Sequence, residues 1–134
     1  MSKRLIVDLD DTICFAGEPS DPGRKYQDHY ASAAPNLPLI ERLREYRESG
    51  FEIVIHTARS MRTYGGDVDK IRQFSLPVIT AWLDRYSVPY DEIVVGKPWC
   101  GFEGFYIDDR SIRPSEFISK SLGDINELLG ICRK

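Results

Sequence analysis

An open α/β sheet with helices on both faces, a Rossmann-like three-layer sandwich around a central parallel sheet, is the fold class this sequence predicts. Strand-like and helix-like patterns alternate along the chain, and that order implies right-handed crossovers between parallel strands. Four short runs, LIVDL (5–9), FEIVIHT (51–57), EIVVG (92–96) and GFYIDD (104–109), are rich in β-branched and aromatic residues and bounded by glycine or polar clusters. Three of them are apolar almost without alternation, the pattern of strands covered on both faces rather than half-exposed in an antiparallel sheet.

The elements follow in order. LIVDL predicts a first strand that runs directly into Asp8, Asp10 and Asp11. The segment 11–36, which contains GEPSDPG, is too long for an idle turn and reads as a flap or loop region at the mouth of a site. Leu39, Ile40, Leu43 and Tyr46 recur at helical spacing, with Asn36 and Pro38 at the start and Gly50 at the stop. FEIVIHT is the second strand. Apolar residues continue at helical spacing from Val68 to Val88, but Pro77 interrupts them; a kink or a pair of helices is predicted there. EIVVG and GFYIDD supply the third and fourth strands, and Ile125, Leu128 and Leu129 mark a last amphipathic helix. No internal repeat or low-complexity segment is visible.

With 134 residues, 42% hydrophobic and 29% charged, the chain reads as one domain, 1–134, with enough core to fold unaided. A net charge of -3 and a pI near 5.4 give no basic footprint for nucleic acid or an anionic membrane surface. Cys14, Cys100 and Cys132 are odd in number and lack CxxC spacing, so neither a disulfide framework nor a zinc site is supported. The apolar run Leu5 to Val7 is too short for a signal-peptide core or a membrane span. A soluble, cytoplasmic protein is the expectation.

In an open parallel sheet, ligands bind beyond the carboxyl ends of the strands. The predicted strand ends carry Asp8, Asp10, His56, Thr57, Arg59, Lys97, Asp108, Asp109 and Arg110, so residues scattered along the chain should share one rim. Gathered carboxylates repel by about 1 to 4 kcal/mol per close pair at near-surface dielectrics, and a hard divalent cation offsets that repulsion economically. Oxygen-only donors favour Mg²⁺, which keeps waters and a phosphate oxygen as further partners. Lys97 supplies a point positive charge and Thr57 a hydroxyl donor; together these groups describe phosphoryl transfer.

Plainer roles stand beside these. Asp11 reads as a turn residue and Thr12 as its cap, and His56 as a packed histidine. Arg59, Arg62, Arg110 and Arg113 fall on rim loops, where they bind a second anionic group of a substrate or form surface ion pairs. Trp99, Tyr64 and Phe102 read as packing residues ahead of sugar-stacking ones.

DLDDT, then HT closing the second strand, GK after the third and YIDD closing the fourth resemble, in kind and order, the four motifs of the haloacid dehalogenase superfamily. Within it, LPVITAWLDRYSVPYDEIVVGKPWCGFEGFYIDDRSIRPSEF is similar to small phosphatase-like proteins linked to capsular polysaccharide biosynthesis. The resemblance implies that Asp8 is the nucleophile forming an aspartyl-phosphate and Asp10 the general acid and base. It implies Mg²⁺ held by Asp8, the backbone carbonyl of Asp10 and Asp108, with Asp109 in support, and a phosphoryl group held by Thr57 and Lys97. Arg59 and Arg110 are candidate substrate contacts. The segments after the first and second motifs are too short for an inserted cap domain, so a core without a separate cap is expected. Such an open site admits a bulky phosphoester or is closed by a second copy of the chain as a homo-oligomer. The implied substrate is a small phosphorylated molecule, a sugar phosphate of capsule or surface-polysaccharide biosynthesis. Two other classes use similar residues: a receiver-like phosphoacceptor, whose acidic pair comes first along the chain rather than last, and a catalytically idle phosphate-binding module.

Overall fold

A computed structural model of the chain describes residues 3–17 and 26–131. The chain divides into two compact units, spanning residues 1–99 and 100–134.

The first unit is α/β. It opens with β1 (Arg4–Val7), followed by β2 (Cys14–Phe15), α1 (Tyr26–Ala31) and β3 (Ala34–Pro35). Next come α2 (Leu37–Glu48), β4 (Glu52–Thr57), α3 (Val68–Lys70), a π-helical stretch over Ile71–Ser75, α4 (Leu76–Arg85) and β5 (Glu92–Val95). β1, β4 and β5 form a parallel sheet with β4 in the middle, in the register Val7↔Ile55 and Thr57↔Val95. This register brings the carboxyl ends of all three strands to one edge of the sheet.

Ile53, Val54 and Ile55 of β4 are buried, as a central strand covered on both faces requires. β1 and β5 differ from the pattern predicted for them. They flank β4, and Ile6 and Val94 remain exposed. α2 follows its sequence signals closely. The Asn36 side chain accepts a hydrogen bond from the Leu39 backbone N–H at 3.4 Å, Pro38 sits in the first turn, and Gly50 follows the helix end at a φ of +96°. Its buried face is Leu39, Ile40, Leu43 and Tyr46, and it packs on β4.

Pro77 falls in the first turn of α4, directly after the π-helical stretch, and has no N–H to donate to the preceding turn. The interruption predicted there takes the form of the π-helical stretch just upstream, which lies between α3 and α4 without a break in the helical chain. Two features carried no periodic signal: α1, and the antiparallel pairing of β2 with β3. Trp82 of α4 ties this corner down, its indole N–H donating to the Ala33 carbonyl at 2.9 Å in a buried position. Residues 18–25, the middle of the predicted flap, and Cys132 lie outside the described residues.

The second unit contains α5 (Pro114–Ser119) and α6 (Leu122–Leu129). Ser121 caps α6 by accepting from the Asp124 N–H at 3.1 Å, and Gly130 ends it at a φ of +67°. Ile125 is buried, as its spacing predicted, whereas Leu128 is exposed. The strand predicted at 104–109 does not form: these residues are irregular, and Phe105 and Ile107 are 77% and 89% exposed. β-Propensity describes side chains that suit a pleated surface, but a strand also needs a neighbour for its N–H and C=O groups. Among the described residues this stretch is paired with none. Its start is set by a tight 100–104 turn, in which a Cβ on Gly104 would collide with the Cys100 carbonyl oxygen.

Ile55 is fully buried at the centre of the sheet. Ile55→Ala should therefore lower stability by about 2 to 5 kcal/mol. In urea unfolding this appears as a lower midpoint with an unchanged slope; a midpoint that stays put would contradict the burial.

Candidate active site

Each parallel strand ends next to a polar residue. Asp8 follows β1 directly, Thr57 is the last residue of β4, and Lys97 lies two residues past β5. The Lys97 backbone N–H donates to the Thr57 carbonyl at 3.1 Å, extending the ladder beyond the strand and turning Lys97 toward the first strand end. Its Nζ lies 3.5 Å from Asp8 Oδ1, and the Thr12 hydroxyl donates to Asp8 Oδ2 at 3.1 Å. Both carboxylate oxygens of Asp8 are thus engaged, one by a cation and one by a neutral donor.

The turn after β1 is held by the Leu9 carbonyl, which accepts from the backbone N–H groups of Thr12, Ile13 and Cys14 at 2.8 to 3.3 Å. Asp11 occupies the left-handed region at a φ of +62°, where aspartate is tolerated better than most residues. Burial first, then the Asp10 and Asp8 charges, raise the Asp11 carboxyl above its ordinary pKa. This places the three carboxylates within electrostatic reach of one another, the crowding anticipated from DLDDT.

Asp10 meets Arg59. The guanidinium donates from Nη2 to Asp10 Oδ1 at 2.8 Å and from Nε to Oδ2 at 3.1 Å. The Arg59 side chain is only 2% exposed, so it lies inside rather than on the rim assigned to it as a substrate contact. One face of the guanidinium stacks 4.2 Å from the centre of the Tyr30 ring, and Nη2 also lies 3.6 Å from the Cys14 sulfur. The Cys14 thiol reaches Asp10 Oδ1 at 3.6 Å and the Leu9 carbonyl at 3.7 Å. Burial foremost, with the Asp10 charge adding, pushes its pKa up to about 12; the thiol stays protonated and is a poor nucleophile.

Thr57 is buried, and its hydroxyl accepts from the Arg59 backbone N–H at 3.0 Å. It therefore orders the chain leaving β4 while keeping its own O–H to donate. His56 is half-buried. Desolvation and then the Lys97 charge lower its pKa, against an opposing pull from Asp8; a neutral imidazole beside the cluster follows.

The first unit thus brings together Asp8, Asp10, Thr57, Arg59 and Lys97. Asp108, Asp109 and Arg110 belong to the second unit. There the Arg110 backbone N–H donates to Asp108 Oδ1 at 3.1 Å, and this bond leads the interactions that hold the Asp108 carboxyl below its ordinary pKa. Among the described residues, no three His, Cys, Asp or Glu side chains are grouped to hold a metal ion. No helix among them is long and apolar enough to cross a membrane.

Aligned with solved structures, the chain matches the crystal structure of an MCSG target from Vibrio cholerae with a TM-score of 0.85 and 56% sequence identity, over 96% of this chain and 97% of that one. The chain belongs to the same family as this Vibrio protein. A chain of the Pnkp1/Rnl/Hen1 complex is also matched, at a TM-score of 0.49 and 18% identity, over 71% of this chain and 28% of that one. No family model and no curated protein matches the chain.

Three contributors to the cluster were not singled out from the sequence: Thr12 as a partner of Asp8, Cys14 beside Asp10, and Tyr30 beneath Arg59. A signal existed for Arg59. It stands two residues after Thr57, the same offset that separates Asp8 from Asp10, and in extended chain that offset returns a side chain to the same side. Tyr30 had none, because it comes from a short helix without periodic pattern.

Proposed function

We propose that this chain is a Mg²⁺-dependent phosphatase of the haloacid dehalogenase type, a Rossmann-like core without a separate cap, that hydrolyses a phosphate monoester through an aspartyl-phosphate. The observation that carries the reading is Asp8 at the carboxyl end of β1, with the Lys97 ammonium 3.5 Å from one oxygen and the Thr12 hydroxyl 3.1 Å from the other. A carboxylate needs no base to become a nucleophile, and a neighbouring cation favours the approach of a phosphate dianion to an anionic group.

In this reading an Asp8 oxygen attacks phosphorus, and the bond from phosphorus to the ester oxygen breaks with its electron pair on the departing oxygen. Asp10 donates a proton to that oxygen, releasing an alcohol. Water then attacks the phosphorus of the aspartyl-phosphate and gives a proton to Asp10. The bond between phosphorus and Asp8 breaks, freeing inorganic phosphate and the carboxylate. Thr57 donates to the phosphoryl oxygens, and Lys97 neutralises charge on them and on Asp8.

The donors suit a hard cation, since all are oxygens and the Cys14 sulfur is buried and protonated. The Asp10 carboxylate is taken by Arg59, but its backbone carbonyl accepts no hydrogen bond among the described residues. Asp8 and that carbonyl would hold Mg²⁺ within the first unit; Asp108 as a further ligand, with Asp109 in support, rests on the resemblance alone. When bound, the ion supplies Lewis-acid polarisation of the phosphoryl oxygens.

The resemblance to capsule-linked phosphatases favours a sugar phosphate as substrate. Asp10, two residues beyond the nucleophile, favours turnover over stable phosphoacceptance. Purified protein should release phosphate from p-nitrophenyl phosphate in Mg²⁺ and lose that activity in EDTA. Absence of Mg²⁺-dependent release from this ester and from a panel of sugar phosphates and nucleotides would refute the proposal.

A further inference from the structure

The Asp10 carboxylate is held more tightly than a solvent-exposed general acid needs to be. Arg59 grips it with two parallel N–H···O bonds, Nη2 to Oδ1 at 2.8 Å and Nε to Oδ2 at 3.1 Å, the fork geometry that fixes both the direction and the plane of a carboxylate. The fork itself is held on several sides. Tyr30 covers one face of the guanidinium at 4.2 Å, and the Arg59 backbone N–H is tied to the Thr57 hydroxyl at 3.0 Å.

The next residue is also constrained. Ser60 adopts a φ of +68°, a region that costs a residue with a side chain roughly 1 to 2 kcal/mol and persists only where the surroundings dictate it. Its hydroxyl lies 2.7 Å from the hydroxyl of Ser75, with both residues buried. Ser75 closes the π-helical stretch Ile71–Ser75, so this departure from regular helix supplies the anchor for the turn that delivers Arg59.

The two oxygens of Asp10 are not equivalent. Oδ1 faces both Arg59 Nη2 and the Cys14 thiol, at 2.8 and 3.6 Å. Oδ2 receives only Arg59 Nε among the described residues, and each carboxylate oxygen has two lone-pair directions. One direction on Oδ2 is left for a proton. We infer that Arg59 is a positioning residue that fixes the Asp10 carboxylate so that Oδ2 is the atom that passes the proton to the leaving group. This inference rests on the phosphatase reading, and assigns Arg59 to leaving-group departure rather than to substrate binding.

The test compares two esters in Mg²⁺: phenyl phosphate, whose phenolate needs a proton to leave, and 2,4-dinitrophenyl phosphate, whose anion leaves without one. Arg59→Lys cannot form the fork, so the pre-steady-state rate of phenol release from saturating phenyl phosphate, which precedes hydrolysis of the aspartyl-phosphate, should fall by about 10²-fold while that of dinitrophenolate release falls by less than about tenfold, with KM for both little changed. Asp10→Asn should show the same selective loss, and the double variant should be no slower on phenyl phosphate than Asp10→Asn alone. Tyr30→Leu leaves the fork in place but uncovers the guanidinium, and should give a smaller loss with the same selectivity; it serves where Arg59→Lys does not fold. An equal loss on the two esters, a loss confined to KM, or no loss in a folded variant overturns the inference. A wild-type protein inert on both esters overturns the phosphatase reading and the inference with it, and so differs from a failure of the Arg59 assignment alone.

Discussion

Asp8→Asn should remove turnover, to below about one-thousandth of the wild-type rate, without unfolding the protein. Asparagine has nearly the volume of aspartate and still accepts from the Thr12 hydroxyl, which now reaches Asp8 Oδ2 at 3.1 Å. It loses the charge that faces Lys97 and with it the anionic nucleophile. The site also becomes less crowded, because the Asp8 charge is one of those that raise the Asp11 carboxyl. Thermal melting should therefore change little. Steady-state release of phosphate checks the rate, and near-normal turnover in this variant would transfer the chemistry to another residue.

Lys97→Met should lower kcat by about 10²- to 10³-fold, the usual cost of removing a donor aimed at developing charge in a preorganised site. Lys97 Nζ is 3.5 Å from Asp8 Oδ1, whereas the Arg59 guanidinium is turned to Asp10. Without Lys97, Asp8 and an incoming phosphate dianion would meet without the ammonium that lies beside the nucleophile among the described residues. Methionine keeps the length and apolar stem of lysine, so the loss reports charge rather than packing. Lys97→Arg should not restore the rate, because a planar fork does not replace a compact ammonium. A Lys97→Met protein with wild-type kcat would place this cation outside the reaction.

How much could be read from the sequence varies with the kind of signal. α2 and β4 were legible because a strong hydrophobic period coincided with end signals: Asn36, Pro38 and Gly50 for the helix, and an unbroken apolar run for the strand. Pro77 reads as a kink or a helix boundary, but the helical chain runs through it and the departure from regular helix is the π-helical stretch over Ile71–Ser75 just upstream. GFYIDD carried strong strand propensity yet remains irregular, since propensity cannot supply a hydrogen-bonding neighbour. The convergence of Asp8, Thr57 and Lys97 followed from topology alone, because parallel strands deliver their carboxyl ends to one edge. Arg59 reads from the sequence as a rim-loop residue, but its side chain is buried beside Tyr30 and Cys14, which approach from segments distant in sequence.

In the proposed reaction Asp8 receives the phosphoryl group, and trapping that adduct tests this most directly. Protein mixed with phosphate ester and Mg²⁺, quenched in acid and digested, should yield a hydroxylamine-labile phosphoryl group on the peptide containing Asp8, absent from Asp8→Asn. A phosphoryl group on another residue, or substrate consumed with no adduct at Asp8 under the same quench, would contradict it.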